Sequence, residues 1–202
     1  KHITMQSINL GVLIMIKAIA IIPAKTDSKR LKKKNLRIIN NKTLVEHAID
    51  YAKNSKLIKH IVVTTESDEV RLITKKYENI ILRDREKSYM GEREVADVYV
   101  NVMQELEPQL LNGITHVVGI QPDHPDRRTK VDDLLEYVVK NKYDDLVTVN
   151  SDGTRNGAVR ITKSGFVKHG VMSRRVGSHL DDCTNIHSED DLNKAEKYLS
   201  SK

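Results

Sequence analysis

The chain has 202 residues, of which 39% are apolar and 31% charged, and a net charge of +6. That length suits a single soluble domain with a proper core. One cysteine, Cys183, excludes an internal disulfide and fits a reducing, cytoplasmic setting, and no apolar run is long enough to cross a bilayer.

Residues 1–14 read as a leader or an extension ahead of Met15, with 15–202 as the single domain. Lys1, the apolar stretch Leu10–Ile16 and Ala18-Ile19-Ala20 loosely imitate a signal peptide. Lys17 interrupts that stretch, however, and cleavage after Ala20 would cut the best strand in the chain, so export is not expected.

That strand, Ile19–Ile22, ends at Pro23 and empties into a cationic loop. Between Lys25 and Arg37 there are seven cations (Lys25, Lys29, Arg30, Lys32, Lys33, Lys34, Arg37) and one anion, Asp27. The segment alone carries +6, and the remainder sums to zero. A nucleic-acid binder usually spreads its cations along a face, so one crowded loop favours a compact polyanion such as a nucleoside triphosphate. A solvated lysine-rich loop is the plain alternative.

After the loop, 36–42 reads as a short extended piece and a turn. Thr43 with Glu46 forms a capping box for a helix with Val45, Ala48, Ile49 and Ala52 on one face. Ile61–Thr65 is β-branched throughout, as in a strand buried on both sides. Ser67 caps the next helix, with Val70, Ile73 and Tyr77 inward. Ile80–Leu82 is a strand ending at Arg83, and a loop to about Gly91 precedes a helix with Val95, Val98, Val102 and Leu106 buried. Pro108 is expected to end that helix. His116–Gln121 is a strand running into Pro122-Asp123-His124-Pro125, and Thr129 with Asp132 is expected to cap the following helix. Asp145–Val149 is a strand, Gly157–Ile161 an edge or hairpin strand, and Ser188 with Asp191 caps a C-terminal helix. Strands alternating with helices predict a three-layer α/β domain with a mainly parallel sheet covered on both faces.

In such a sheet, ligands sit outside the carboxyl ends of the strands, at the point where strand order reverses. If 18–22 and 116–121 are neighbours, the cationic loop faces Gln121 and Asp123 across one crevice. Lysines there would neutralise phosphate oxygens, and a carboxylate would hold a divalent metal bridging them.

These stretches resemble, in order, the acylneuraminate and 3-deoxy-manno-octulosonate cytidylyltransferases. IIPAKTDSKRLKKKNL (21–36) is similar to their opening strand and phosphate loop, VVTTESDEV (62–70) to their strand with Thr-Asp-Ser, and GIQPDHPDRR (119–128) to Gln-Pro-Thr-Ser-Pro-x-Arg or Gln-Gly-Asp-Glu-Pro. NGAVRI (156–161) is similar to Asn-Gly-Ala-Ile-Tyr-Ile, and NIHSEDDLNKAE (185–196) to Asp-Ile-Asp-Thr-x-Glu-Asp-Leu with its helix. The resemblance implies a Rossmann-like fold of nucleotide-diphospho-sugar transferase type and transfer of CMP from CTP to a sugar acid, with release of pyrophosphate. It implies nucleotide contacts from Ala24 (main chain), Lys25, Ser28, Lys29, Arg30, Lys34, Asn35 and Arg83, sugar contacts from Gln121 and Arg127, and catalytic roles for Lys25, Lys34 and Asp123. The metal, Mg²⁺ first and Mn²⁺ as the alternative, would sit on Asp123 with Asn185 and His187. The partners implied are CTP and a small acidic sugar, with a second copy of the chain as a candidate and neither nucleic acid nor membrane.

Three departures stand out. Thr26-Asp27 replaces a glycine-rich turn. Asn185 and His187 replace two metal-binding aspartates, and imidazole suits Mn²⁺ or Zn²⁺ better than Mg²⁺. The connection from Val149 to Asn156 is short, which leaves less wall for a bulky acceptor. A nucleotide-binding homologue with impaired catalysis is therefore one alternative. A nucleic-acid module is another, opposed by the lack of Phe and Trp around the loop. His124 is either catalytic or a solvated loop histidine, and Cys183 a small buried hydrophobe. Asp181 and Asp182 are reserve ligands. Arg174-Arg175 is either a surface pair or an acidic-partner site.

Overall fold

The computed structural model describes residues 16–26, 28, 30–85 and 95–201. The proposed leader, Asp27, Lys29 and most of the loop before Gly91 lie outside them. Strand β1 (Ala18–Pro23) is buried at every position. Its alternation separates two cores: Ala18, Ala20 and Ile22 face one, while Ile19 and Ile21 face the other. Each fully buried isoleucine there contributes about 1.5–3 kcal/mol.

A 3₁₀ turn (Lys34–Leu36) leads into the small hairpin β2 (Ile38–Ile39) and β3 (Lys42–Thr43). Asn40 and Asn41, at φ 47° and 63°, form its two-residue turn, a geometry asparagine tolerates. Helix α1 (Leu44–Lys53) starts at the Thr43/Glu46 capping box, as expected. β4 (Ile58–Thr65) follows, then α2 (Asp68–Thr74), capped by Ser67. The buried side of α2 is Val70 and Thr74, and Tyr77 packs on the core from beyond the helix end.

β5 (Ile80–Asp84) precedes α3 (Val95–Glu105). Pro108 does more than end α3: it sits at the first turn of a short helix, α4 (Pro108–Leu111), where its missing N–H is not needed. β6 (His116–Ile120) is buried throughout. Gly119 is required there, because a Cβ would lie 2.2 Å from Cζ of Tyr99 on α3. Helix α5 (Val131–Lys140) has Lys130 at its N-cap without a side-chain cap. Thr129 and Asp132 do not cap it: Asp132 instead accepts from the Ser55 hydroxyl and the Lys56 N–H, which ties α5 to the start of β4.

β7 (Asp145–Val149) and β8 (Arg155–Lys163) form a hairpin, followed by α6 (Ser164–Lys168), β9 (Val176–Leu180) and α7 (Glu189–Ser200). The sheet order is β5-β4-β1-β6-β8-β7-β9. β8 is therefore an interior strand, not an edge, and it alone runs against the others. The edge on that side is β9, an element the sequence pattern did not announce, and β5 is the other edge. Helices α1, α2 and α5 cover one face and α3 the other, which is the three-layer arrangement expected. No described helix is long and apolar enough to cross a membrane.

Candidate active site

From β1 the chain moves outward to β4 and β5, then returns to β6 on β1's other side. β1 and β6 are parallel neighbours, with Ile21 opposite Gly119. A crevice thus opens between their carboxyl ends. Loop 24–33 forms one wall, 121–128 the other, and 181–188 closes the side.

The cationic loop is held at several points. The Ala24 N–H donates to Thr64 O (2.9 Å), and its carbonyl accepts from the Thr65 hydroxyl (2.7 Å). The main chain of Ala24, expected to meet cytosine, is thereby fixed to β4. Buried Asn35 donates to the Lys25 carbonyl at 2.6 Å, which folds the loop back on itself. Ser28 Oγ accepts from the Leu31 N–H at 3.4 Å. Leu31 packs with Ile39, Ile186 and Leu192 beneath α7. Lys33 adopts the left-handed conformation (φ 51°) just before the 3₁₀ turn. That turn aims Lys34 inward.

Lys34 Nζ reaches Asp123 Oδ2 at 2.5 Å, with both side chains about 85% shielded (14% and 15% exposed). The other oxygen, Oδ1, pairs with His124 Nδ1 at 3.0 Å. Burial opposes ionisation of Asp123, but His124 and Lys34 overcome it and hold the carboxyl well below the usual carboxylate range. His124 is not solvated. It is buried, with Nε2 unpartnered, and its observed role is to orient Asp123.

The C-terminal segment joins through the Ile186 N–H, which donates to Asp123 O at 2.9 Å. On either side of Ile186, Asn185 presents a buried Oδ1 with no partner, and His187 meets Arg30. Arg30 Nη1 lies 3.2 and 3.1 Å from the two ring nitrogens. Burial, then the charges of Lys34 and Arg30, push the imidazole pKa down, so the neutral ring accepts from the guanidinium. Among the described residues no group of three or more His, Cys, Asp or Glu could hold a metal. Cys183 is buried, and burial pushes its thiol up to about 12, which fits the packing role expected of it. Asp181 is committed to the N–H groups of Arg128 and Thr129, and half-buried Asp182 accepts weakly from the Ser151 N–H.

Two expected site residues bond to other groups of the chain. Arg127 is 8% exposed; it donates to the carbonyls of Gln121 and Ala158 and stacks on Tyr51 at 4.9 Å. Through Nε and Nη2 it is a buried clamp between the β6 loop and β8, while its Nη1 is buried without a partner. Arg83 binds the carbonyl and carboxylate of Glu105 at the end of α3. Arg175 pairs with Asp144 at 2.8 Å, so half of the Arg174-Arg175 doublet is structural.

Gln121 does face a cavity. The recess measures about 260 Å³ and is lined by Tyr99, Gln121, Arg155, Gly157 and Arg160 among others. Gly157 has φ 75°, and a Cβ there would come within 2.9 Å of Gln121 Nε2. Arg160 is braced by both carboxylate oxygens of Asp145. Sequence reasoning missed Arg155, and it missed Glu66, whose Oε1 accepts from the N–H (2.7 Å) and hydroxyl (3.1 Å) of Thr26. The signal for Glu66 was its place at the carboxyl end of a parallel strand, just before the Ser67 cap.

The model of a protein family described as cytidylyltransferase matches residues 19–169. Among curated relatives, the chain is 38% identical over 79 residues to CMP-N,N'-diacetyllegionaminic acid synthase of Campylobacter jejuni, covering 39% of this chain and 34% of that protein. It is 26% identical over 131 residues to 3-deoxy-manno-octulosonate cytidylyltransferase of Thermodesulfovibrio yellowstonii, covering 65% and 51%. The chain thus spans about a third to a half of the length of these relatives. Its fold matches CMP:2-keto-3-deoxy-manno-octonic acid synthetase complexed with CTP, with TM-score 0.72 at 14% identity over 92% of this chain and 99% of that one. It also matches 4-diphosphocytidyl-2C-methyl-D-erythritol synthase of Anaerococcus prevotii, with TM-score 0.63 at 14% identity over 95% and 100%. The fold is therefore of the nucleotide-diphospho-sugar transferase type.

Proposed function

The chain belongs to the cytidylyltransferase family, and from that footing we propose that it transfers CMP from CTP to a sugar acid of nonulosonate or octulosonate type. The acceptor hydroxyl attacks the α-phosphorus, the bond from that phosphorus to the bridging oxygen breaks, and pyrophosphate departs. The observation that carries this reading is the Lys34–Asp123 pair spanning the crevice between β1 and β6. It sets a shielded cation and a shielded carboxylate where a nucleotide's phosphates would lie at the switch point.

Lys34, Lys25 and Arg30 would stabilise charge on the phosphate oxygens, an electrostatic and positional form of catalysis without a covalent protein intermediate. Asn35, Ser28 and Glu66 keep the loop in shape for that. The donor set also suits a hard divalent cation: Asp123 offers a carboxylate and Asn185 an unpartnered buried amide oxygen, both ligands that Mg²⁺ accepts. His187 would favour Mn²⁺. Such an ion would neutralise phosphate charge. Gln121 and Arg155 would meet the acceptor, with the Arg155 guanidinium on its carboxylate. The reaction is placed in the cytoplasm on small molecules, not on nucleic acid or a membrane, with a second copy of the chain as a candidate partner.

The engagement of His187 by Arg30 favours a second reading, a CTP-binding homologue with little turnover. Incubation with each nucleoside triphosphate, a panel of 2-keto-3-deoxy sugar acids and Mg²⁺ or Mn²⁺, with pyrophosphate followed, separates the two. CTP-dependent and acceptor-dependent release is expected. Selective CTP binding without release would favour the second reading, and absence of any nucleotide preference would overturn both.

A further inference from the structure

We infer that the free site is closed to divalent metal by two of its own cations, and that the nucleotide opens it. Lys34 Nζ sits on Oδ2 of Asp123, and Arg30 Nη1 sits against both ring nitrogens of His187. His124 holds the remaining Asp123 oxygen, Oδ1. The carboxylate oxygens of Asp123 and the ring nitrogens of His187, the two strongest candidate ligands in the crevice, are thus all engaged by cationic or donor-capable side chains of the same chain. Of the three proposed ligands Asp123, His187 and Asn185, it is the Asn185 amide oxygen that has no partner among the described residues, and one neutral oxygen does not retain a divalent ion.

The charge balance points the same way. Two cations face one carboxylate, so a dication entering alone adds positive charge to a pocket that already has an excess of it. A nucleoside triphosphate reverses that balance. Its phosphate oxygens are bidentate or charge-assisted partners for Arg30 and Lys34. When the two cations turn to phosphate, Asp123 Oδ2 and the His187 lone pair become available, and the phosphates supply further oxygen ligands. Metal and nucleotide then bind with positive coupling, and the coupling is reciprocal. This inference rests on the proposed nucleotide site for its second half. The closed state of the free protein rests on the observed contacts alone.

The test is Mn²⁺ binding, read from the free-ion electron paramagnetic resonance signal, without acceptor so that no turnover occurs. The free wild-type protein is expected to bind Mn²⁺ weakly. Lys34→Met should bind it about tenfold more tightly without nucleotide, and Arg30→Gln should show a smaller gain. Asp123→Asn added to Lys34→Met should abolish the gain. Lys34→Gln serves as the second variant, with far-UV circular dichroism reporting the fold of each. Adding CTP to wild-type protein should raise its Mn²⁺ affinity, and this rise should shrink in Lys34→Met. If free wild-type protein binds Mn²⁺ as tightly as the Lys34 variants, the inference is overturned while the proposed function stands. If CTP fails to bind but the Lys34 variants still gain Mn²⁺ affinity, the proposed function falls and the closed free site is upheld.

Discussion

Glu66 ties the cationic loop to the neighbouring strand by accepting two hydrogen bonds from Thr26 through one oxygen, Oε1, while its other oxygen, Oε2, is buried without a partner. Thr26, one of the two residues that replace the glycine-rich turn, is thereby clamped by a carboxylate from the end of β4.

Replacing Glu66 with Ala removes both bonds. Hydrogen bonds to a charged group are worth about 1.5–3 kcal/mol, so loop order and CTP affinity should fall by roughly tenfold or more, with little loss of thermal stability. Titration calorimetry with CTP reads this directly. Unchanged affinity would show that the loop is held by Asn35 and Leu31 alone.

Gly119→Ala places a methyl group within 2.2 Å of the Tyr99 ring. Overpacking of this kind costs roughly 1–3 kcal/mol, and at this chain length each kcal/mol lowers Tm by about 2–4 °C. Tyr99→Leu in the same chain should recover part of the loss. A melting temperature equal to that of wild type would mean that the α3–β6 approach is looser than described.

His116, at the start of β6, is held neutral by burial and then by the nearby Lys163 charge, which bring its pKa down to about 4. Between about pH 6.5 and pH 4 the unfolded chain takes up a proton that the folded one refuses. The stabilisation is therefore complete above pH 6.5 and falls as the pH drops, by no more than about 3 kcal/mol from this group. Between pH 7 and pH 5 the urea midpoint of wild type should fall relative to that of His116→Gln. Parallel pH dependences would remove His116 as the cause.

Arg127→Met tests the clamp role of that residue. The Gln121 carbonyl loses its donor, at a cost of about 1–3 kcal/mol, and the Ala158 carbonyl keeps the Gln121 N–H alone, so the melting temperature should drop clearly. The acceptor KM of the folded fraction should stay within about twofold. A raised KM at unchanged stability would place Arg127 at the sugar site instead.

Much of the fold was legible in the residues because it depends on short-range chemistry. The capping boxes at Thr43/Glu46 and Ser188/Asp191 need partners only three residues apart, and the burial of β1 and β4 follows from unbroken apolar and β-branched runs. The crevice was legible too, since strand-end loops at 23–35 and 121–128 face one another whenever β1 and β6 adjoin.

What only the tertiary structure decided is the choice of partner. Arg127 and Arg83 carry the same five-donor fork as a phosphate-binding arginine, and nothing local says that one clamps two carbonyls while the other meets Glu105. The alternation of Gly157–Ile161 announces a strand, yet its interior position and reversed direction depend on strands 116–120 and 145–149 arriving on either side. Lys34 and Asp123 were expected to face each other across a bound ligand. Their direct contact arises because the loop's fold, fixed by Asn35 and Glu66, brings two opposite charges within reach in a shielded crevice. Residue order by itself determined that cations and a carboxylate would meet there. The packing of loop 24–33 against β4 and α7 decided that in the free protein they meet each other.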